Sequence, residues 1–212
     1  MTSIRALIFD CDGTLVDSEP WLVEAMLAEG ALYGLPLQAR ALLDAQRGAP
    51  MSRQIATVAA HASAPLPAHF EDDVRARMAE LFRAHLQPID GALALVRDLR
   101  LPFCVASNGP RHKIELVLGL TGLLPWFEGR VFSAYDLQVW KPAPDLFLHA
   151  AQQLGVAPAD CAVVEDSASG IAAGLAAGMH VFALGEQPDD LPASVQRIAS
   201  LSDVPALLRR AG

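Results

Sequence analysis

Short apolar runs separated by helix-length segments constrain this chain more than anything else in it. They recur at Ala6 to Phe9, Phe103 to Ala106, Val131-Phe132, Cys161 to Val164 and Val181 to Leu184. Runs of this kind read as buried strands, and the helix-like segments between the later ones supply the layers that cover them. The pattern predicts an α/β fold: a Rossmann-like three-layer core around a parallel sheet. Between the first and second runs lies a long Ala- and Leu-rich stretch without a strand signal. It is broken at Pro36, at Gly48-Ala49-Pro50 and at Pro65-Leu66-Pro67, which predicts an all-helical insertion of about four helices after the first strand. The expected division is a discontinuous core, 1–16 with 87–212, and a helical domain, 17–86. Hinges are expected after Leu15 and from Gln87 to Gly91. Trp21 and Met26 are expected in the core of the first inserted helix.

Composition removes several classes of partner. Apolar residues make up 52% of the 212-residue chain, and the formal net charge is -8. That balance disfavours broad contact with nucleic-acid backbones or anionic membranes, which reward clustered Lys and Arg. Arg209-Arg210 reads as a solvated helix end. Cys11, Cys104 and Cys161 are widely spaced and lack metal-ligand spacing, so buried thiols in a reducing compartment are expected. The apolar stretch before Asp10 is too short for a signal peptide, and no later run is long enough to span a bilayer. The expectation is a cytoplasmic protein, monomeric or a weak homo-oligomer, with no nucleic-acid or membrane partner. The histidines show no ligand spacing and none is assigned a catalytic role.

In a parallel sheet ligands bind beyond the carboxyl ends of the strands, and the polar residues of this sequence gather where strands end. The first run exits into Asp10-Cys11-Asp12-Gly13, two carboxylates on a turn that Gly13 lets fold tightly. One acid can attack while the other moves protons, and their mutual repulsion calls for a cation such as Mg²⁺. The second run exits into Ser107-Asn108-Gly109-Pro110, where a hydroxyl and backbone N–H groups suit a phosphate oxygen. After the third comes Lys141-Pro142, the proline limiting where the ammonium points. The fourth exits into Glu165-Asp166-Ser167, adding oxygen ligands of the type a hard divalent cation needs. Each segment alone also reads as an ordinary turn or helix cap.

Together, and in this order, they resemble the haloacid dehalogenase (HAD) superfamily of phosphohydrolases. The first motif is similar to the stretch from Asp10 to Glu19, the second to Ser107, the third to Lys141-Pro142 and the fourth to Glu165-Asp166. The resemblance covers nearly the whole chain and makes the inserted helices a cap. It implies that Asp10 is the nucleophile and Asp12 the general acid and base. It implies Mg²⁺ on the Asp10 carboxylate, the Asp12 backbone carbonyl and Asp166, with Glu165 assisting directly or through water. Ser107, Asn108 and Lys141 are the implied phosphoryl-binding residues. Haloalkanoic acid dehalogenases lack an acid at the place of Asp12 and transporting ATPases carry a Lys at that of Cys11, so both branches are disfavoured.

The branch of helical-cap sugar phosphatases and β-phosphoglucomutase resembles the chain better. The mutase's His base falls on Leu22, which disfavours that activity. Ser107 to Pro110 with Lys113, and the stretch Val131 to Pro142, look like bacterial 6-phosphogluconate phosphatases. The expected activity is therefore Mg²⁺-dependent hydrolysis of a small phosphorylated sugar or sugar acid, 6-phosphogluconate-like, through an aspartyl phosphate. Phosphoglycolate phosphatase, a mutase-type phosphotransferase and a catalytically silent phosphate-binding module stand as alternatives. In the expected cap loop Arg47 to Arg53, Arg47 or Arg53 is a candidate for pairing with the substrate. Arg111 and Lys113 are expected on a helix surface.

Overall fold

The computed structural model describes residues 3–46 and 49–210. Six strands form one parallel sheet: β1 (Ala6–Phe9), β2 (Phe103–Ser107), β3 (Val131–Ser133), β4 (Cys161–Glu165), β5 (His180–Leu184) and β6 (Val195–Ile198), in spatial order β3-β2-β1-β4-β5-β6. β1, β2 and β4 are buried at every position, as strands covered on both faces must be. The order reverses at β1. β2 and β3 lie on one side of it and β4 to β6 on the other, so the crevice at the carboxyl end of the sheet opens beside Asp10.

The sixth strand has no counterpart in the expected set. Only its end residues, Val195 and Ile198, are buried, with Gln196 and Arg197 exposed between them at the sheet edge. Two apolar residues separated by two polar ones make no run. What defines this strand is its register with β5, Val181 opposite Val195 through Leu184 opposite Ile198.

Helices α1 (Glu19–Ala31), α2 (Ala39–Asp44), α3 (Met51–His61) and α4 (Phe70–His85) follow β1, and α5 (Ala92–Asp98) precedes β2. After β2 come α6 (Arg111–Leu120), α7 (Ala134–Leu137), α8 (Asp145–Leu154), α9 (Ala168–Ala176) and α10 (Val204–Arg210). One face of the sheet, with Ala6, Ile8 and Cys104, packs against Leu146, Phe147, Ala150 and Ala151 of α8 and Ala173 of α9. On the other face Phe9, Phe103 and Phe127 meet edge to face. The three cysteines are buried free thiols.

The chain divides into two compact units, one ending at Asp17 and resuming at Gln87, the other running from Ser18 to Leu86. The second contains α1 to α4. Phe70, Val74, Met78 and Phe82 form a buried four-residue stripe along α4, against the buried residues of α1. Met26 is buried there, but Trp21 is only half-buried and stacks on the His85 ring at 4.7 Å. The expectation of a core Trp21 is corrected: the indole is at the rim, where it covers an imidazole from the last turn of α4.

Candidate active site

The turn after β1 is held by Leu15 and Val16 N–H groups, both donating to the Cys11 carbonyl, and by Gly13 N–H donating to Val16 O. Gly13 has φ +78°, and a Cβ on it would overlap the Asp166 carboxylate. Only a glycine lets the two loops approach this closely. Thr14 Oγ1 donates to Asp166 Oδ1 at 2.7 Å, so the exits of β1 and β4 interlock.

Asp10 is 7% exposed. Its Oδ1 accepts from Lys141 Nζ at 2.5 Å, and the same ammonium reaches Glu165 Oε1 at 2.7 Å. The Phe147 ring lies 4.6 Å from that nitrogen. Burial pushes the Asp10 carboxyl up, Lys141 draws it down, Glu165 and Asp12 push it up again, and the balance stands at about 7. For Lys141 burial acts downward, but Asp10 and Glu165 outweigh it and hold the ammonium above its ordinary range.

Two other expected residues turn out to hold Lys141. The Asn108 amide brackets its backbone, Oδ1 accepting from Lys141 N–H at 2.9 Å and Nδ2 donating to Lys141 O at 3.3 Å. The peptide to Pro142 is cis. Glu165 is buried with its second oxygen accepting from Ser167 N–H at 2.7 Å and Ser167 Oγ at 2.8 Å. Both Glu165 oxygens are thus committed to Lys141 and Ser167. Gly170, in the first turn of α9, makes room for this carboxylate, and a Cβ there would overlap it. Gly170→Ala is expected to destabilise the protein by about 1–3 kcal/mol, read as a lower urea midpoint.

Ser107 ends β2 buried, its Oγ accepting from Gly109 N–H at 3.1 Å, and Ser133 Oγ donates to Gly109 O at 2.7 Å. The expectation for Lys113 is corrected here. Its side chain is 16% exposed, and its ammonium pairs with Asp12 Oδ1 rather than lying on the helix surface. Burial alone would lower Lys113, but Asp12 and the other groups beside it raise it instead. Arg111 does lie exposed, paired with Asp136 at 2.6 Å. Sequence held one signal for the difference: Lys113 falls in the first turn of a helix that starts straight after a strand exit, and that turn faces the crevice.

Asp10, Asp12, Ser107, Asn108, Lys141, Glu165 and Asp166 all belong to the first compact unit, and Lys141 joins Asp10, Asn108 and Glu165 directly. Arg53 belongs to the second. It is exposed and helical, because the loop ends at Pro50 and α3 begins at Met51. Arg47 lies outside the described residues.

Among the described residues no three His, Cys, Asp or Glu side chains gather closely enough to enclose a metal ion. The donor set nevertheless fits Mg²⁺. It is all oxygen, and Mg²⁺ takes one or two carboxylates, keeping its other positions for water and phosphate. Three of the carboxylates, Asp10, Asp12 and Glu165, share two ammoniums, Lys113 and Lys141, and the fourth, Asp166, accepts from the Thr14 hydroxyl. No helix among the described residues is long and apolar enough to cross a membrane.

A buried carboxylate on a lysine, beside a second carboxylate at one strand exit, suits nucleophilic attack with proton transfer at phosphorus. Comparison with known proteins gives the family. Residues 4–178 match the haloacid dehalogenase-like hydrolase family. The chain is 36% identical over 216 residues to 6-phosphogluconate phosphatase of Escherichia coli (strain K12), covering 100% of this chain and 98% of that protein. It is 34% identical to hexitol phosphatase A of the same organism, covering 89% and 86%. A HAD family hydrolase from Deinococcus radiodurans R1, solved with bound phosphate and sodium, superposes with a TM-score of 0.80 at 31% identity, covering 100% and 98%. A parallel sheet whose first strand ends in two lysine-paired acids, matched along most of its length to one family, leaves one conclusion: the chain belongs to the haloacid dehalogenase-like hydrolases and is a phosphoric monoester hydrolase.

Proposed function

We propose that this protein is a Mg²⁺-dependent phosphatase of small phosphorylated sugars or sugar acids, working through an aspartyl phosphate on Asp10. The observation that carries the reading is the buried Asp10 carboxylate on Lys141, two residues from a second carboxylate with an ammonium of its own. Asp10 attacks phosphorus as the bond to the ester oxygen breaks, and Asp12, entering this step as the neutral carboxylic acid, gives that oxygen its proton and becomes the carboxylate. Water then attacks the phosphorus of the aspartyl phosphate and the bond to Asp10 breaks. Asp12 takes the water's proton, and phosphate leaves with Asp10 restored. Lys141 spans the nucleophile and the position of the phosphoryl oxygens, and Ser107 with the N–H groups beside it binds those oxygens. Asn108 and Glu165 act by holding Lys141. The Asp10 and Asp166 carboxylates and the Asp12 carbonyl would hold Mg²⁺, which supplies charge neutralisation on the phosphoryl group.

Substrate class rests on the relatives, named for 6-phosphogluconate and hexitol phosphates. Residues 17–86 serve in this reading as a cap domain inserted into the catalytic core. Leu22, an apolar side chain in α1, has no proton to exchange with a sugar, which favours hydrolysis over mutase chemistry.

The test is phosphate release from 6-phosphogluconate, hexitol phosphates, phosphoglycolate and β-glucose 1-phosphate, with Mg²⁺ and with EDTA. Release from the sugar phosphates is expected only with Mg²⁺, and Asp166→Ala is expected to raise the Mg²⁺ concentration for half-maximal rate by at least ~10-fold. An isomeric sugar phosphate in place of inorganic phosphate would make the protein a phosphotransferase, and stoichiometric binding without turnover a silent module.

A further inference from the structure

We propose that Lys113 is the positioning residue for Asp12, the side chain that aims its carboxylate at the ester oxygen. The inference rests on the reading of Asp12 as the proton carrier and adds to it a residue more than 100 positions away, from a different strand exit. The two cations of the site are divided between the two acids of the β1 turn. Lys141 is committed to Asp10 and Glu165, and Lys113 to Asp12.

Lys113 is built in rather than draped over the site. It lies in the first turn of α6, anchored by the fully buried Ile114, Val117 and Leu118. Its stem runs past Gly109, where an added Cβ would lie 3.6 Å from Lys113 Cδ and 3.4 Å from Ser107 Oγ. The neighbouring cation, Arg111, is turned outward onto Asp136.

The physical need is plain. Asp12 stands on a tight turn just past the strand, and a short carboxylate there rotates freely unless something holds it. Proton transfer requires heavy atoms at about 2.6–3.2 Å. A charge-assisted bond to Oδ1 from a helix-borne, mostly buried ammonium restrains the rotation of the carboxylate and with it the direction of the second oxygen.

A leaving-group comparison tests this. p-Nitrophenolate departs from phosphorus without needing a proton, whereas a sugar alkoxide needs one. kcat/KM covers only the steps up to that cleavage. Lys113→Met, compared with the unsubstituted protein, is expected to lose ~10- to 100-fold more kcat/KM on the best sugar phosphate of the panel than on p-nitrophenyl phosphate. Lys113→Arg, which keeps the charge, should recover most of the difference. Equal loss on both substrates would mark Lys113 as merely structural and overturn the inference. So would a raised KM with unchanged kcat, which would make it a substrate ligand. Asp12→Asn, measured alongside, separates the two levels. Equal loss there removes the role given to Asp12, while a leaving-group-dependent loss for Asp12→Asn but not for Lys113→Met removes Lys113 alone.

Discussion

Asp10→Asn is expected to lower phosphate release by ~10⁴-fold or more while leaving the protein folded. The amide is nearly isosteric with the carboxylate, so the cavity at the end of β1 keeps its shape. What is lost is the oxygen nucleophile. No other carboxylate can replace it: Asp12 is held by Lys113, Glu165 by Lys141 and Ser167, and Asp166 by Thr14. Turnover on a sugar phosphate, by released phosphate, gives the rate, and acid-quenched enzyme examined by mass spectrometry gives the covalent state. An adduct one phosphoryl group heavier should form on the unsubstituted protein and be absent from Asp10→Asn. Residual turnover within ten-fold of the unsubstituted protein would exclude Asp10 as nucleophile.

Lys141→Met carries the second large effect, on both stability and rate. The ammonium is almost fully buried and is the shared partner of two buried carboxylates. Methionine fills most of the volume but leaves Asp10 and Glu165 facing each other without a cation. Breaking a buried pair from one side costs about 3–5 kcal/mol, because the orphaned charge stays desolvated. A urea midpoint should fall accordingly, and activity should drop to background as phosphoryl binding and the placement of Asp10 fail together. The double variant Lys141→Met with Glu165→Gln separates the two losses. Removing one orphaned charge should restore much of the stability and none of the activity. An unchanged midpoint for Lys141→Met alone would mean that the buried pair is not what holds these loops.

The same residues show where sequence reading reaches and where it stops. Five of the six strands are legible because their apolar residues are contiguous, β1, β2 and β4 being buried at every position and β3 and β5 at all but one. β6 is not, because an edge strand exposing Gln196 and Arg197 leaves no contiguous run. The helices of the inserted stretch are legible from their breakers, since Pro and Gly act within a turn or two of where they stand. Trp21 shows the limit of periodicity: it lies on the apolar side of α1, yet the half-buried ring lies against His85 from the end of α4.

At the site, sequence order places acids, a hydroxyl, an amide and a lysine at strand exits, and it does so because a parallel sheet delivers every exit to one end. It does not say which cation meets which anion. Lys113 reads as a surface residue by local pattern, and Asn108 and Glu165 read as ligand-binding groups. In three dimensions Lys113 pairs with Asp12, while Asn108 and Glu165 grip Lys141. Alone, then, the sequence determined the layers of the fold and the polar residues that follow its strands, all set by burial and turn preferences acting over a few residues. The pairing of charges was decided only by tertiary structure. Partners separated by 24 to 152 positions meet through helix packing and loop closure, and no local pattern records them.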